Sequence, residues 1–99
     1  MAVFWTEEAI AGLERIREYY LARGEPKTAQ SMGLLVLQAG DALDSLPHRG
    51  RPGRVEGTRE LLVPRTPFLL AYRAEAPRTL ILAVKHEAQK WPERFEGAA

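Results

Sequence analysis

Four arginines crowd one short stretch: Arg49, Arg51, Arg54 and Arg59 all lie in HRGRPGRVEGTR, residues 48–59. A guanidinium is planar, permanently charged and forked, so it can grip phosphate or carboxylate through two parallel hydrogen bonds. One acid, Glu56, interrupts the run, and Gly50, Gly53 and Gly57 alternate with Pro52. The glycines open backbone conformations closed to other residues. The proline limits their flexibility. The combination suits a docking surface for nucleic acid or for an acidic protein partner. The plain alternative is an exposed, solvated connection. Spacing does not separate the two, but it does exclude a phosphate-binding P-loop. The order G-x-x-x-x-G-K-[ST] is absent, and no strand precedes the run.

Other candidates lie further along. His86 directly follows the last predicted strand, where an imidazole could serve as general acid or base. A surface or capping histidine is the plainer reading. Arg59 and Glu60 open a strand side by side, so they point to opposite faces. For Glu60 the better reading is a structural ion pair across the sheet. Gln89, Lys90, Trp91 and Pro92 form a compact element in which Trp91 either packs on the core edge or anchors a partner. No Ser-His-Asp order and no metal-ligand spacing stands out. With no cysteine in the chain, disulfides and thiolate metal sites are excluded. No metal and no cofactor is expected.

The elements that would position these groups are legible. Ala2–Trp5 is apolar and reads as a short strand. Thr6 offers a hydroxyl N-cap, with Glu7 and Glu8 in the first turn where the helix dipole favours acids. Ile10, Leu13, Ile16 and Tyr20 follow at helical spacing, and Gly24 supplies a stop. Pro26 suits the first turn of a second helix. Its apolar stripe is Ala29, Met32, Val36, Ala39, Leu43 and Leu46, with Pro47 ending it. Gly33 and Gly40 lie seven residues apart and share a face, which predicts close helix packing there, because glycine inside a helix otherwise costs about 1 kcal/mol against alanine. Three β signals follow: Thr58–Val63, Phe68–Ala74 and Thr79–Lys85. Proline-containing connections of about four residues join them as antiparallel hairpins. The predicted order is β-α-α-β-β-β, an α+β fold with a helical hairpin on one face of a small antiparallel sheet.

A chain of 99 residues makes residues 1–99 a single domain. A domain of this size buries only about two-thirds of its unfolded surface, so a partner that binds the folded state adds useful stability. The net charge of +1 conceals an asymmetry: residues 1–44 carry four basic and seven acidic side chains, and residues 45–99 carry ten and six. The start of the chain does not read as a secretory signal, and no stretch reaches the roughly 20 apolar residues of a membrane span. The lack of cysteine fits a reducing compartment, so a cytoplasmic location is expected.

Three words carry a resemblance covering nearly the whole chain: FWTEEAIAGLERIREYY, LPHRGRPGRVEGTRELLV and TPFLLAYRA…LILAVKHEAQKWP. The combination G-R-P-G-R…G-T-R-E-L, then a Y-R strand, then H-x-x-Q-x-W-P, resembles toxins of the RelE/ParE superfamily. These belong to bacterial type II toxin–antitoxin modules, systems of growth arrest and plasmid stabilisation. The resemblance implies the fold just derived and a hetero-oligomer with a cognate antitoxin, whose partly disordered segment wraps the toxin. It also implies one of two targets. RelE-like members cleave messenger RNA on the ribosome; ParE-like members are not nucleases and poison DNA gyrase. RelE-like nucleases carry an arginine early in the penultimate strand and a second just after the last strand. Those positions fall here at Leu69 and near Glu87, and a tyrosine further on is missing. The charge that would stabilise a cleaving phosphate is therefore absent there. This favours the ParE-like branch, with no catalytic residue. Arg49, Arg51, Arg54, Arg59, His86, Gln89, Lys90 and Trp91 would then contact target or antitoxin. The alternative is a YafQ-like nuclease built on His86, Arg59 and Arg73.

Overall fold

Thr6 begins the first helix from an extended backbone. In the computed structural model, which describes residues 1–88 and Phe95, its hydroxyl oxygen accepts from Ala9 N at 3.1 Å. The same hydroxyl donates to Ile81 O at 2.9 Å, so the cap also fastens the helix to the sheet. Helix α1 runs Glu7–Ala22 with both glutamates in its first turn. Gly24 reverses the chain at φ 72°, a conformation that favours glycine. Helix α2, Pro26–Asp41, then starts on its proline.

Helix α2 ends earlier than its stripe predicts. Ala42–Asp44 tighten into a 3-10 turn. That turn carries Leu43 into the core, fully buried, and leaves Leu46 in solvent. Pro47 therefore follows the helix at a distance rather than ending it. In α1, Ile10 is exposed, while Ala9, Gly12 and Ile16 take the inward positions. The inward stripe is narrow enough that one step in phase decides burial.

The strands are β1 Ala2–Trp5, β2 Arg51–Pro52, β3 Arg59–Leu62, β4 Phe68–Glu75 and β5 Arg78–His86. They form one sheet in the order β1-β5-β4-β3-β2. β3, β4 and β5 pair antiparallel as expected. The sheet as a whole is mixed, because β1 lies parallel to β5, with Ala2 opposite Arg78 and Trp5 opposite Ile81. The chain that returns through the helices supplies the crossover a parallel pairing needs. The strand β2 was not expected, since its residues read as loop. It is a two-residue edge, where a proline that cannot donate to the ladder is tolerated.

Both helices cover one face of the sheet. Leu61, Val63, Leu70, Tyr72, Ile81 and Val84 meet Ile16, Val36 and Leu43 in the main core, with Leu13, Met32 and Ala39 packed at its margin. On the reverse face Val55, Ala71, Leu82, Ala83 and Phe95 form a smaller cluster. This packs Val55, from the arginine stretch, against the sheet that supports it.

Gly33 and Gly40 do not act as a pair. A Cβ on Gly33 would meet nothing within 4 Å. One on Gly40 would fall onto the Trp5 ring and, at 2.9 Å, the tip of Ile81. The close approach is thus helix to sheet, and not helix to helix. Gly12 is its counterpart in α1, where a Cβ would lie 3.0 Å from Val84 Cβ. Trp5 Nε1 also donates to Asp41 Oδ1 at 3.1 Å, fixing the ring over Gly40.

Candidate functional site

The arginine stretch is tied to the sheet at three points. Tyr72, buried in the centre of β4, accepts the Gly50 N–H on its hydroxyl at 2.8 Å. Arg59 reaches back from β3 and donates Nη1 to Gly50 O at 2.8 Å and His48 O at 3.4 Å. Glu60 receives the rest. Its Oε2 accepts Arg54 N at 2.7 Å and Arg54 Nε at 3.1 Å; its Oε1 accepts Arg54 Nη2 at 3.2 Å and Arg51 Nη2 at 3.3 Å. Arg51 stands directly opposite Glu60 across the β2–β3 ladder.

Within the turn, Thr58 Oγ1 donates to Val55 O at 2.6 Å and Gly53 N to Thr58 O at 2.7 Å, with Gly57 at φ 80°. A chain that looks like flexible connection is therefore a built turn. Its glycines answer steric demands: a Cβ on Gly53 would strike Thr58.

Glu60 is 3% exposed. Burial is the largest influence on its carboxyl and on its own would raise the pKa. The hydrogen bonds from the Arg54 side chain, the Arg54 backbone and Arg51, with the Arg54 charge, together outweigh it and hold Glu60 below its usual 4.5. The sign of the linkage follows. A carboxyl depressed in the folded state contributes stability at pH values above its unfolded pKa, and that contribution is lost as pH falls through the lower folded value. Glu60→Gln is therefore expected to be less stable than the parent at pH 7, with the gap shrinking as pH drops below about 4.5. Chemical denaturation of both proteins at pH 7 and pH 3 checks this. An equal gap at the two pH values refutes it.

The remaining candidates are distributed. Arg49 is exposed, with no ion-pair partner among the described residues. Arg73 lies beneath Gly57 on the reverse face of the sheet. Its Nη1 donates to Glu75 Oε1 at 3.3 Å, and its Nε is buried with no partner among the described residues. His86 is on the helix side. Its ring stands edge-on to Phe68 at 5.8 Å, and its Nδ1 accepts Ala88 N at 3.1 Å. It borders a cavity of about 320 Å³ that Arg15, Tyr19 and Tyr20 also line. Gln89, Lys90 and Trp91 lie outside the described residues.

The structure brings Arg51, Arg54 and Glu60 together, while Arg59, next along β3, points to the other face and holds the start of the stretch. It does not bring His86, Arg59 and Arg73 together. Arg59 is opposite Tyr72 and His86 is opposite Phe68, on either side of β4. Four residues along a strand span roughly 13 Å, and two strand spacings add roughly 10 Å across it. Arg73 projects from the other face. Leu69 is buried, and Glu87 is exposed with its N–H on Pro67 O at 3.0 Å.

Sequence reasoning missed Tyr72 as the anchor of the stretch. A signal was present: in FLLAYRA, Tyr72 is in phase with Leu70 and Phe68, so it had to be buried, and a buried tyrosine hydroxyl needs a partner. Among the described residues no three His, Cys, Asp or Glu side chains are grouped to hold a metal, and no helix is long and apolar enough to cross a membrane. On the outer side of the helical hairpin, Leu21, Leu34 and Leu37 are exposed along an open groove of about 620 Å³, with Gly33 in its wall.

Residues 3–91 match the ParE toxin of the type II toxin–antitoxin system parDE. The chain is 36% identical over 89 residues to the Y4kP protein of Sinorhizobium fredii, covering 90% of this chain and 91% of that one. It is 32% identical over 87 residues to toxin RelE2 of Caulobacter vibrioides, covering 88% and 96%. Its fold matches a chain of the chromosomal ParDE toxin–antitoxin system from P. aeruginosa with a TM-score of 0.79 at 27% identity, over 87% of this chain and 95% of that one. A chain of the toxin–antitoxin complex RelBE2 from Mycobacterium tuberculosis gives 0.61 at 25% identity, over 86% and 95%. Together with two helices on a five-stranded mixed sheet, these matches make the chain a member of the ParE family, the toxins of type II toxin–antitoxin systems in the RelE/ParE superfamily.

Proposed function

We propose that this toxin acts in the cytoplasm by binding DNA gyrase, and that a cognate antitoxin neutralises it. The observation that carries the reading is the lack of an assembled phosphate-cleaving group among the described residues. Leu69, buried, and Glu87, acidic, stand where nuclease-like relatives place arginines, and Arg59, Arg73 and His86 are dispersed over two faces. A nuclease must stabilise charge that develops on the cleaving phosphate, and removing one such contact typically costs about 10²–10³ in rate. A binding toxin has no such requirement. It needs a rigid surface with a few anchors. The arginine stretch, held by Tyr72, Arg59 and Glu60, supplies one that is fixed before the partner arrives.

The antitoxin reading is supported by the neighbouring structures, which are of toxin–antitoxin systems. The groove lined by Leu21, Leu34 and Leu37 gives the apolar side of such a segment somewhere to bury. The likeness to toxin RelE2 and the cavity beside His86 favour the second reading, ribosome-dependent cleavage of messenger RNA.

The test is a paired assay of the purified toxin: gyrase supercoiling in one arm, ribosome-bound message in the other. Wild type is expected to inhibit supercoiling and leave the message intact. His86→Ala is expected to change inhibition less than about two-fold. A general acid or base contributes about 10²–10⁴, so loss of toxicity on that scale in folded His86→Ala, with message cut and supercoiling untouched, replaces this reading with the nuclease.

A further inference from the structure

A carboxylate buried in a strand is costly to keep. At the position opposite Ala71, beside the small apolar cluster of Val55 and Leu82, an aliphatic side chain would be buried without desolvating a charge. Glu60 occupies it instead and collects four donors from two arginines. The donors divide in an informative way. One is a main-chain amide, Arg54 N, which fixes the path of the turn. Two are the Nε and Nη2 of the same residue, which fix its guanidinium plane. The fourth is Arg51 Nη2, from the neighbouring strand. Glu60 thus engages the backbone of the turn and both guanidinium groups at once, while Arg51 and Arg54 remain 62% and 43% exposed.

We infer that Glu60 is a positioning residue for target engagement, acting through Arg51 and Arg54. This rests on the reading that the arginine stretch meets the target. Long side chains lose rotamer freedom when a partner immobilises them, and an arginine already held loses less. The carboxylate also cancels one of the two positive charges. If bulk charge were what mattered, removing Glu60 would strengthen binding. If orientation matters, removing it weakens binding although the surface becomes more positive. The two expectations have opposite signs.

The experiment compares wild type, Glu60→Gln, Arg51→Ala/Arg54→Ala and the triple variant. Potency is read in whichever arm of the paired assay wild type is active, so failure of the gyrase reading leaves the inference testable. The 15N relaxation of the amides of residues 49–58 and the Arg54 Nε–H signal report the turn itself. Glu60→Gln is expected to lower potency by about ten-fold, a loss of the size of one interfacial contact, and to mobilise the amide of Arg54. In the background lacking both arginines it is expected to change potency less than two-fold. A residue that matters only for stability would lower the folded fraction and leave the potency of the folded protein and the mobility of the Arg54 amide unchanged, and that result overturns the inference. So does unchanged or increased potency in the single variant. Should Glu60→Gln not fold, Arg54→Lys keeps the charge and the acid but loses the fork. It is expected to show the same drop, and wild-type potency there overturns the inference too.

Discussion

Gly40→Val is expected to destabilise the toxin by about 3 kcal/mol, while Gly33→Ala, seven residues earlier on the same helix, is expected to stabilise it by up to about 1 kcal/mol. The difference is one of space. A Cβ at Gly40 falls on the six-membered part of the Trp5 ring and on Ile81, which is fully buried. Neither can retreat. Trp5 is held to Asp41 through its indole N–H, and Ile81 lies between β1 and β4 in the sheet. A β-branched residue adds two further carbons to that collision and stiffens the helix turn around it. At Gly33 no atom lies within 4 Å of the added Cβ, so alanine there gains helix propensity at no steric cost. Thermal unfolding separates the two. For a domain of this size about 4–8 °C accompanies each kcal/mol, so Gly40→Val is expected to melt at least 12 °C lower. Equal melting temperatures for the two variants would refute the argument from close approach.

The glycine pair shows where the sequence is legible and where it stops. Periodicity gave both helices, the Thr6 cap, the turn at Gly24 and the start at Pro26, because these depend on neighbours in the chain. It also gave the three antiparallel strands and the residues of the main core. It did not tell which of two glycines faces a tryptophan from residue 5, since that contact is set by the sheet order. The same limit applies at the site. The arginines were visible as a cluster, and Glu60 as an ion-pair former. That one carboxylate would hold both Arg51 and Arg54 depends on β2, a strand of two residues with too little pattern to be read. His86 and Arg59 seemed comparable in sequence, each beside a strand end. The register of β4 places them at different heights and on different sides of it.

The hydroxyl of Tyr72 gives the second large effect. Tyr72→Phe is expected to lower stability by about 1–3 kcal/mol, the cost of leaving a buried donor unsatisfied, and to loosen the Gly50 amide of the arginine stretch. The substitution deletes one oxygen and keeps the ring, so packing against the core is unchanged. What is lost is the acceptor for Gly50 N, and Gly50 is itself buried, packed so closely under the ring that a Cβ there would touch both the Tyr72 oxygen and Glu60 O. Of the remaining ties, Arg59 still holds Gly50 O and His48 O, and Glu60 holds Arg54 at the other end of the stretch. The turn is therefore expected to stay formed at Arg54 while the Gly50 amide, left without its acceptor, loosens. Amide exchange reads this directly. Protection at Gly50 is expected to fall by about ten-fold or more, the equivalent of 1.4 kcal/mol, with the amide of Arg54 retaining most of its own. Unchanged protection at Gly50 together with an unchanged melting temperature would mean that the Tyr72 hydroxyl does not anchor the stretch. Equal loss at both amides would mean that the two ends are held as one unit, and that Glu60 and Tyr72 cannot be treated as separate supports.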